Sequence, residues 1–210
     1  MVLAMILAPS MDAIAKYLAT QSNISPGSVT LGRFVVQSLL LAGFIIAIKI
    51  RTGSLGANFR INVLRGMIMG LASMIFFVAV KYMPLADCIA IFFVEPLILM
   101  LLSSIFLGEV VGWRRRIAAV VGLCGALIVI QPSYELFGPV SLLPLSTAFL
   151  FSIYLILTRK MGEGNDPLSM QFFAGIGGVL MCSGIVAVGT SLGAEDFSFT
   201  LPTTSLAISL

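Results

Sequence analysis

The chain has no histidine among its 210 residues, and charged residues make up only 10% of it. The first absence removes the commonest general base and the commonest metal ligand. The second excludes an ordinary water-facing surface, because soluble domains carry about 25% charged residues. Cysteine is scarce: Cys88, Cys124 and Cys182 each stand alone in an apolar run. Without a Cys-x-x-Cys pair a zinc site is not expected, and the thiols read as small buried hydrophobes. No phosphate-cradling glycine loop occurs, so nucleotide hydrolysis is not expected, and neither is any other cofactor. The net charge of +3 is too small to suggest a nucleic-acid partner. No basic residue precedes Lys16, so the positive leader of a cleaved secretory signal is missing and the first apolar segment reads as a retained helix.

What is there is apolar. Hydrophobic residues make up 59% of the chain and the mean hydropathy is +1.11. A membrane-spanning helix needs about 20 mostly apolar residues. Seven segments qualify, at about 1–20, 29–48, 64–81, 85–107, 113–131, 140–158 and 168–190, and an eighth starts near Pro202. The runs are continuous rather than alternating, which favours helices over a β-barrel. The expected class is therefore an all-α integral membrane protein, a polytopic bundle in contact with lipid. Ser25-Pro26-Gly27-Ser28, Gln131-Pro132-Ser133 and Gly162-Glu163-Gly164-Asn165-Asp166-Pro167 read as turns.

Basic residues set the expected orientation. Lys49, Arg51, Arg60, Arg65, Arg114, Arg115, Arg116, Arg159 and Lys160 fall in the second, fourth and sixth connections, nine of the twelve Lys and Arg. Positively charged connections stay in the cytoplasm, so the N-terminus is expected inside, with Glu135, Glu195 and Asp196 outside. The first connection, Lys16-Tyr17-Leu18 through Ser25-Pro26-Gly27-Ser28 to Arg33-Phe34, also resembles the sixth, Arg159-Lys160-Met161 through Asp166-Pro167-Leu168-Ser169 to Phe172-Phe173. Five segments separate equivalent points, and an odd number inverts the second copy in the membrane, as in transporters built from inverted repeats. Chance likeness between two apolar hairpins is the competing explanation.

Several of these residues form an ordered set: Lys16, Arg33-Phe34, Arg65-Gly66, Lys81-Tyr82-Met83-Pro84-Leu85-Ala86, Pro96-Leu97, Phe106-Leu107-Gly108-Glu109, Arg116, and Gly122 with Gly125. The set resembles the EamA family of the drug/metabolite transporter superfamily, over about residues 1–131. The resemblance implies a first five-helix repeat at 1–131 and a partial second repeat at 140–210. It implies secondary, alternating-access transport of small metabolites or drugs across the bacterial inner membrane. Family members have ten helices, so seven segments are expected to be a fragment of a longer protein. Its missing C-terminal helices would then be partners, and the fragment would not transport alone.

Charges inside membrane segments are costly and default to functional candidates. Glu95 is the sharpest, mid-segment and followed by Pro96, which removes the backbone donor for the carbonyl four residues back. It is a candidate proton or substrate site; the plain alternative is a hydrogen-bonded carboxyl that joins helices. Asp12 and Lys16 share a helix face, as do Arg33 and Gln37. With Lys81 and Asp87 these suggest a charged outer vestibule, against snorkelling of long side chains to the interface. The stripe Gly66, Gly70, Ser73 suits close helix packing, with homodimerisation as a minor alternative. Trp113 beside the arginine run reads as an interface anchor. Gly189-Thr190-Ser191-Leu192-Gly193 imitates a serine-hydrolase elbow but has no histidine to serve it. Asn23-Ile24-Ser25 matches a glycosylation sequon, which means little in a bacterial protein. No enzyme is expected: an intramembrane enzyme would need two of the carboxylates Asp12, Asp87 and Glu95 in one cavity. A non-transporting scaffold would show a dry, apolar interior.

Overall fold

The computed structural model describes residues 25–47, 59–108, 112–161 and 167–192. The apolar segments at 1–20 and from Pro202 lie outside the described residues. So do Asp12, Lys16, Glu195 and Asp196.

The described residues form helices and short connections, with no strand among them. The helices are α1 (Pro26–Ala47), α2 (Phe59–Tyr82), α3 (Leu85–Phe92), α4 (Glu95–Phe106), α5 (Trp113–Phe137), α6 (Leu142–Met161) and α7 (Pro167–Leu192), with a 3-10 turn at Gly138–Ser141 before α6. Phe59–Tyr82, Leu85–Phe106, Glu135–Met161 and Met170–Ser191 are each long and apolar enough to cross a membrane, and Gly27–Gly43 is a shorter apolar helix. Large apolar side chains stand on the outside, among them Leu40, Ile105, Ile128 and Leu136, the last 77% exposed. Only lipid covers such a surface without cost, and the chain is an all-α, multi-pass membrane protein.

Four boundaries differ from the sequence reading. Segment 85–107 is not one helix: it breaks at Phe93–Val94. Pro96 cannot donate a backbone hydrogen bond, and the amides just before it tighten, with Val94 N bonded to the Ile91 carbonyl at 3.2 Å. Segment 113–131 runs on to Phe137, so Gln131-Pro132-Ser133 is helix rather than turn. The turn comes at Gly138, whose φ of +61° only glycine adopts readily. Gly108, at φ +66°, ends α4 in the same way. Third, α2 begins at Phe59, so Arg60 and Arg65 belong to a helix rather than a connection. Fourth, Arg114 opens α5 and Arg159 and Lys160 close α6, again inside helices.

Packing centres on α2, which has α6 on one side and α7 on the other; α1 lies on α7, α4 on α6. Arg65 reaches Thr158 while Thr147 reaches Ala72, so α2 and α6 are antiparallel. Gly66 meets Ala174 and Gly70 meets Gly178, so α2 and α7 run the same way. Gly178 faces Phe34 and Gly175 faces Ser38, which sets α1 antiparallel to α7. Arg60, Arg114, Arg159 and Lys160 therefore gather at one end of the bundle, and the Met83–Pro84 connection and the Gly138 turn lie at the other.

The α2–α7 contact is backbone on backbone. A Cβ on Gly66 would collide with the Ala174 carbonyl, and one on Gly177 would collide with the Val63 carbonyl. A Cβ on Gly70 would come 3.1 Å from the Cα of Gly178. Lipid is as apolar as leucine, so helices associate in a membrane by close packing and polar contacts rather than by hiding apolar surface. The glycine stripe is thus a packing surface within the bundle. Gly66→Ala and Gly177→Ala are expected to destabilise the fold by about 1–3 kcal/mol or more, the scale of an overpacked core. Gly32→Ala, with nothing within 4 Å of its added carbon, is expected to change stability by less than about 0.5 kcal/mol. Thermal unfolding in detergent compares them.

Candidate functional site

A cavity of about 360 Å³ opens between α1, α2, α3 and α6, a volume suited to a small organic molecule. Its described lining is Arg33 from α1; Met69, Ala72, Ser73, Phe76 and Phe77 from α2; Leu85, Ile89 and Phe92 from α3; and Thr147 and Phe151 from α6. It lies towards the Pro84 and Gly138 end of the bundle, since it takes the upper part of each helix counted from that end.

The wall is aromatic. Phe76 meets Phe92 edge-on with ring centres 5.9 Å apart, and Phe92 meets Phe151 at 5.6 Å. Phe151 stacks on Tyr154 at 5.7 Å and an interplanar angle of 27°. Phe76 and Phe77 are in edge contact at 6.2 Å. Three polar side chains interrupt this surface. Arg33 is half-buried, with its guanidinium 5.6 Å from the Phe34 ring. Ser73 is buried. The Thr147 hydroxyl is placed between the Leu143 carbonyl of its own helix at 3.0 Å and the Ala72 carbonyl of α2 at 3.4 Å. Among the described residues no carboxylate lines the cavity.

Glu95 stands just beyond the cavity, three residues after Phe92, at the first position of α4. Its backbone carbonyl accepts a hydrogen bond from Ser152 Oγ at 3.2 Å, a proton shared with the Ala148 carbonyl at 2.8 Å. Its Oε1 is buried and has no hydrogen-bond partner in the structure. Glu95 is not among the residues that line the cavity. Of the proposed set, Arg33 lies in the wall, Gln37 is half-buried one turn on along α1, and Lys81 is exposed at the end of α2 with its ammonium 5.6 Å from the Tyr82 ring. On α3, Asp87 is half-buried and Ile91 fully buried.

The sequence places Arg65 among the loop charges, yet only 2% of it is exposed. Its Nη1 donates to Thr158 Oγ1 at 3.2 Å and its Nη2 to the Met170 carbonyl at 2.9 Å, and the guanidinium lies 5.2 Å from the Tyr154 ring centre. The signal that could have found it is spacing: Asn62, Arg65 and Gly66 share one helix face, and Gly66 implies a close neighbour there. The aromatic wall left no such signal, because phenylalanine is equally at home against lipid.

A sequence profile of the EamA-like transporter family matches residues 1–131. The chain is 25% identical over 163 residues to a riboflavin transporter of Vibrio cholerae, covering 77% of this chain and 55% of that protein. It is 26% identical over 174 residues to an S-adenosylmethionine uptake transporter of Rickettsia bellii, covering 83% and 59%. It is 27% identical over 169 residues to the protein PecM of Dickeya dadantii, covering 80% and 56%. The chain thus spans little more than half the length of the curated relatives it matches. No solved structure matches it. With the profile covering more than half of an all-helical membrane chain, the protein belongs to the EamA-like transporter family.

Proposed function

We propose that this chain forms part of a secondary transporter of small metabolites, and that the aromatic cavity holds the substrate. The cavity carries the reading: four phenylalanines, one guanidinium and two hydroxyls surround a space of about 360 Å³. A dry scaffold would have no such space. Riboflavin and S-adenosylmethionine, the compounds in the relatives' names, each contain a flat nitrogen heterocycle. Phe76, Phe92 and Phe151 offer ring faces and edges to such a group, so the favoured substrate class is a flat heteroaromatic metabolite. Arg33 would meet its polar or anionic substituents, with Gln37 one turn further along. Family membership and the lack of paired carboxylates in the described lining support transport over catalysis.

Transport would proceed by alternating access about this cavity. Pro26 and Pro167 each open a helix, and those helices, α1 and α7, are antiparallel neighbours. That relation supports the inverted-repeat reading, with 1–131 as one repeat and 140–210 as part of a second. Glu95 is the proposed coupling group: a buried carboxyl oxygen without a partner, one step beyond the cavity and beside a helix break, can take up and release a proton as its surroundings change. Asp12, Lys16 and Lys81 would belong to an outer vestibule. The basic end of the bundle supports placing that end in the cytoplasm, and with it the proposed inner bacterial membrane and cytoplasmic N-terminus.

Three outcomes test this in the full-length protein. Phe92→Ala and Phe151→Ala are expected to weaken riboflavin binding, read by quenching of its fluorescence, by about 2- to 10-fold each, the worth of one aromatic contact; unchanged binding, or none by the unaltered protein, rejects the cavity assignment. Glu95→Gln should flatten the pH dependence of uptake into vesicles between about pH 5 and 8 while leaving the protein folded. A cysteine at Lys160 should resist a membrane-impermeant maleimide added to intact cells, and one at Lys81 should react; the reverse pattern would invert the topology.

A further inference from the structure

We propose that Arg65 is a latch that holds the basic end of the bundle closed. This rests on the reading of the cavity as the substrate's place, and its test is chosen to separate the two.

Position comes first. On α2 the cavity takes Met69 to Phe77, and on α6 it takes Thr147 and Phe151. Arg65, Tyr154 and Thr158 continue the same two helices away from the cavity, towards the end where Arg60, Arg159 and Lys160 lie. Arg65 therefore plugs the bundle directly beyond the cavity. It is also the side chain that joins three helices at this level. One nitrogen holds α6 through Thr158, the other holds α7 through the Met170 carbonyl, and the guanidinium face rests on Tyr154.

The bonding pattern is that of a latch rather than a permanent rivet. Its acceptors, Thr158 and the Met170 carbonyl, are neutral, so they compensate a buried cation only in part. Arg65 Nε has no partner, and neither does Oδ1 of Asn62, which is 3% exposed and lies one turn earlier on α2. Buried polar groups left in this condition are costly, and water entering from the basic end would satisfy both. Opening thus loses two hydrogen bonds to neutral oxygens and regains hydration of a cation and an amide, a balance that allows both states. Beside the latch α7 meets α2 backbone to backbone, through Gly66 and Gly177, so the seam there holds by closeness rather than by long side chains, and a small sliding of α7 along α2 is the movement it permits. Tyr154 links the latch to the cavity, because it lies against Arg65 on one side and stacks on Phe151, a wall residue, on the other.

The test uses the full-length protein in vesicles, with Cys88, Cys124 and Cys182 replaced by alanine and a reporter cysteine at Met161, which is 6% exposed in α6 near the latch. Maleimide labelling of the reporter is expected to be slow with Arg65 in place. It should become at least about tenfold faster in Arg65→Gln and in Thr158→Val, and rise by less in Arg65→Lys, which keeps the charge but not the fork. Thr158→Val preserves volume and decides the matter if Arg65→Gln does not fold. Equal labelling in Thr158→Val and the unaltered protein overturns the latch. Riboflavin binding measured on the same samples separates the two claims. Binding with unchanged labelling removes the latch and keeps the cavity. Faster labelling without binding keeps the latch and removes the cavity reading.

Discussion

The contact on which this bundle depends is the one made by the absence of side chains. Gly66, Gly70, Gly177 and Gly178 bring α2 and α7 together backbone to backbone. In lipid that closeness is what replaces the hydrophobic drive of a soluble core. Everything else is arranged around it. With α7 pressed against one side of α2, α6 occupies the other, and α1 lies across α7. The space left between α1, α2, α3 and α6 is the cavity. Two small apolar clusters flank it: Phe34, Met74, Cys182 and Val186 on the α7 side, and Ala79, Val80, Met83, Cys88 and Ile91 beneath the Pro84 connection.

Polar groups inside the bundle are few, and most belong to hydroxyls that bond back to their own helix. Ser103, Ser141, Thr147, Ser152 and Thr158 each donate to a carbonyl three or four residues earlier. This is the economical state for a hydroxyl in a low-dielectric setting, since its proton is satisfied locally. Thr147, Ser152 and Thr158 then have a second contact across to another helix. All three lie on α6, which makes α6 the helix that reads the positions of α2 and α4.

The membrane class and most helix positions were legible in the sequence because long uninterrupted apolar runs have one stable outcome in lipid. The resemblance to the family was legible too, through an ordered set of glycines, prolines and charges. The inner surface was not. In a soluble protein the apolar face points inward, but here Phe92 faces a cavity and Phe93, its neighbour, is 71% exposed, and both positions call for the same residue type. Arg65 was hidden by its proximity to Arg60: two arginines before a long apolar run look like an interfacial pair until the helix is seen to start at Phe59. The turn expected at Pro132 falls instead at Gly138. Proline forfeits one hydrogen bond and α5 tolerates that, whereas a positive φ at Gly138 sends the chain in a new direction.

The link between α2 and α3 is only Met83 and Pro84, with Pro84 held at φ −56° and ψ 140° and Met83 buried beneath it. Two residues with one ring-locked torsion leave almost no slack. That fixes the corner at which Phe76 and Phe92 meet. α6 closes the far side of this corner through Phe151, and it is tied to α2 by the Thr147 and Arg65 contacts. The aromatic wall is thus a chain of contacts from Phe76 through Phe92 to Phe151, whose first step is set by the length of a two-residue link.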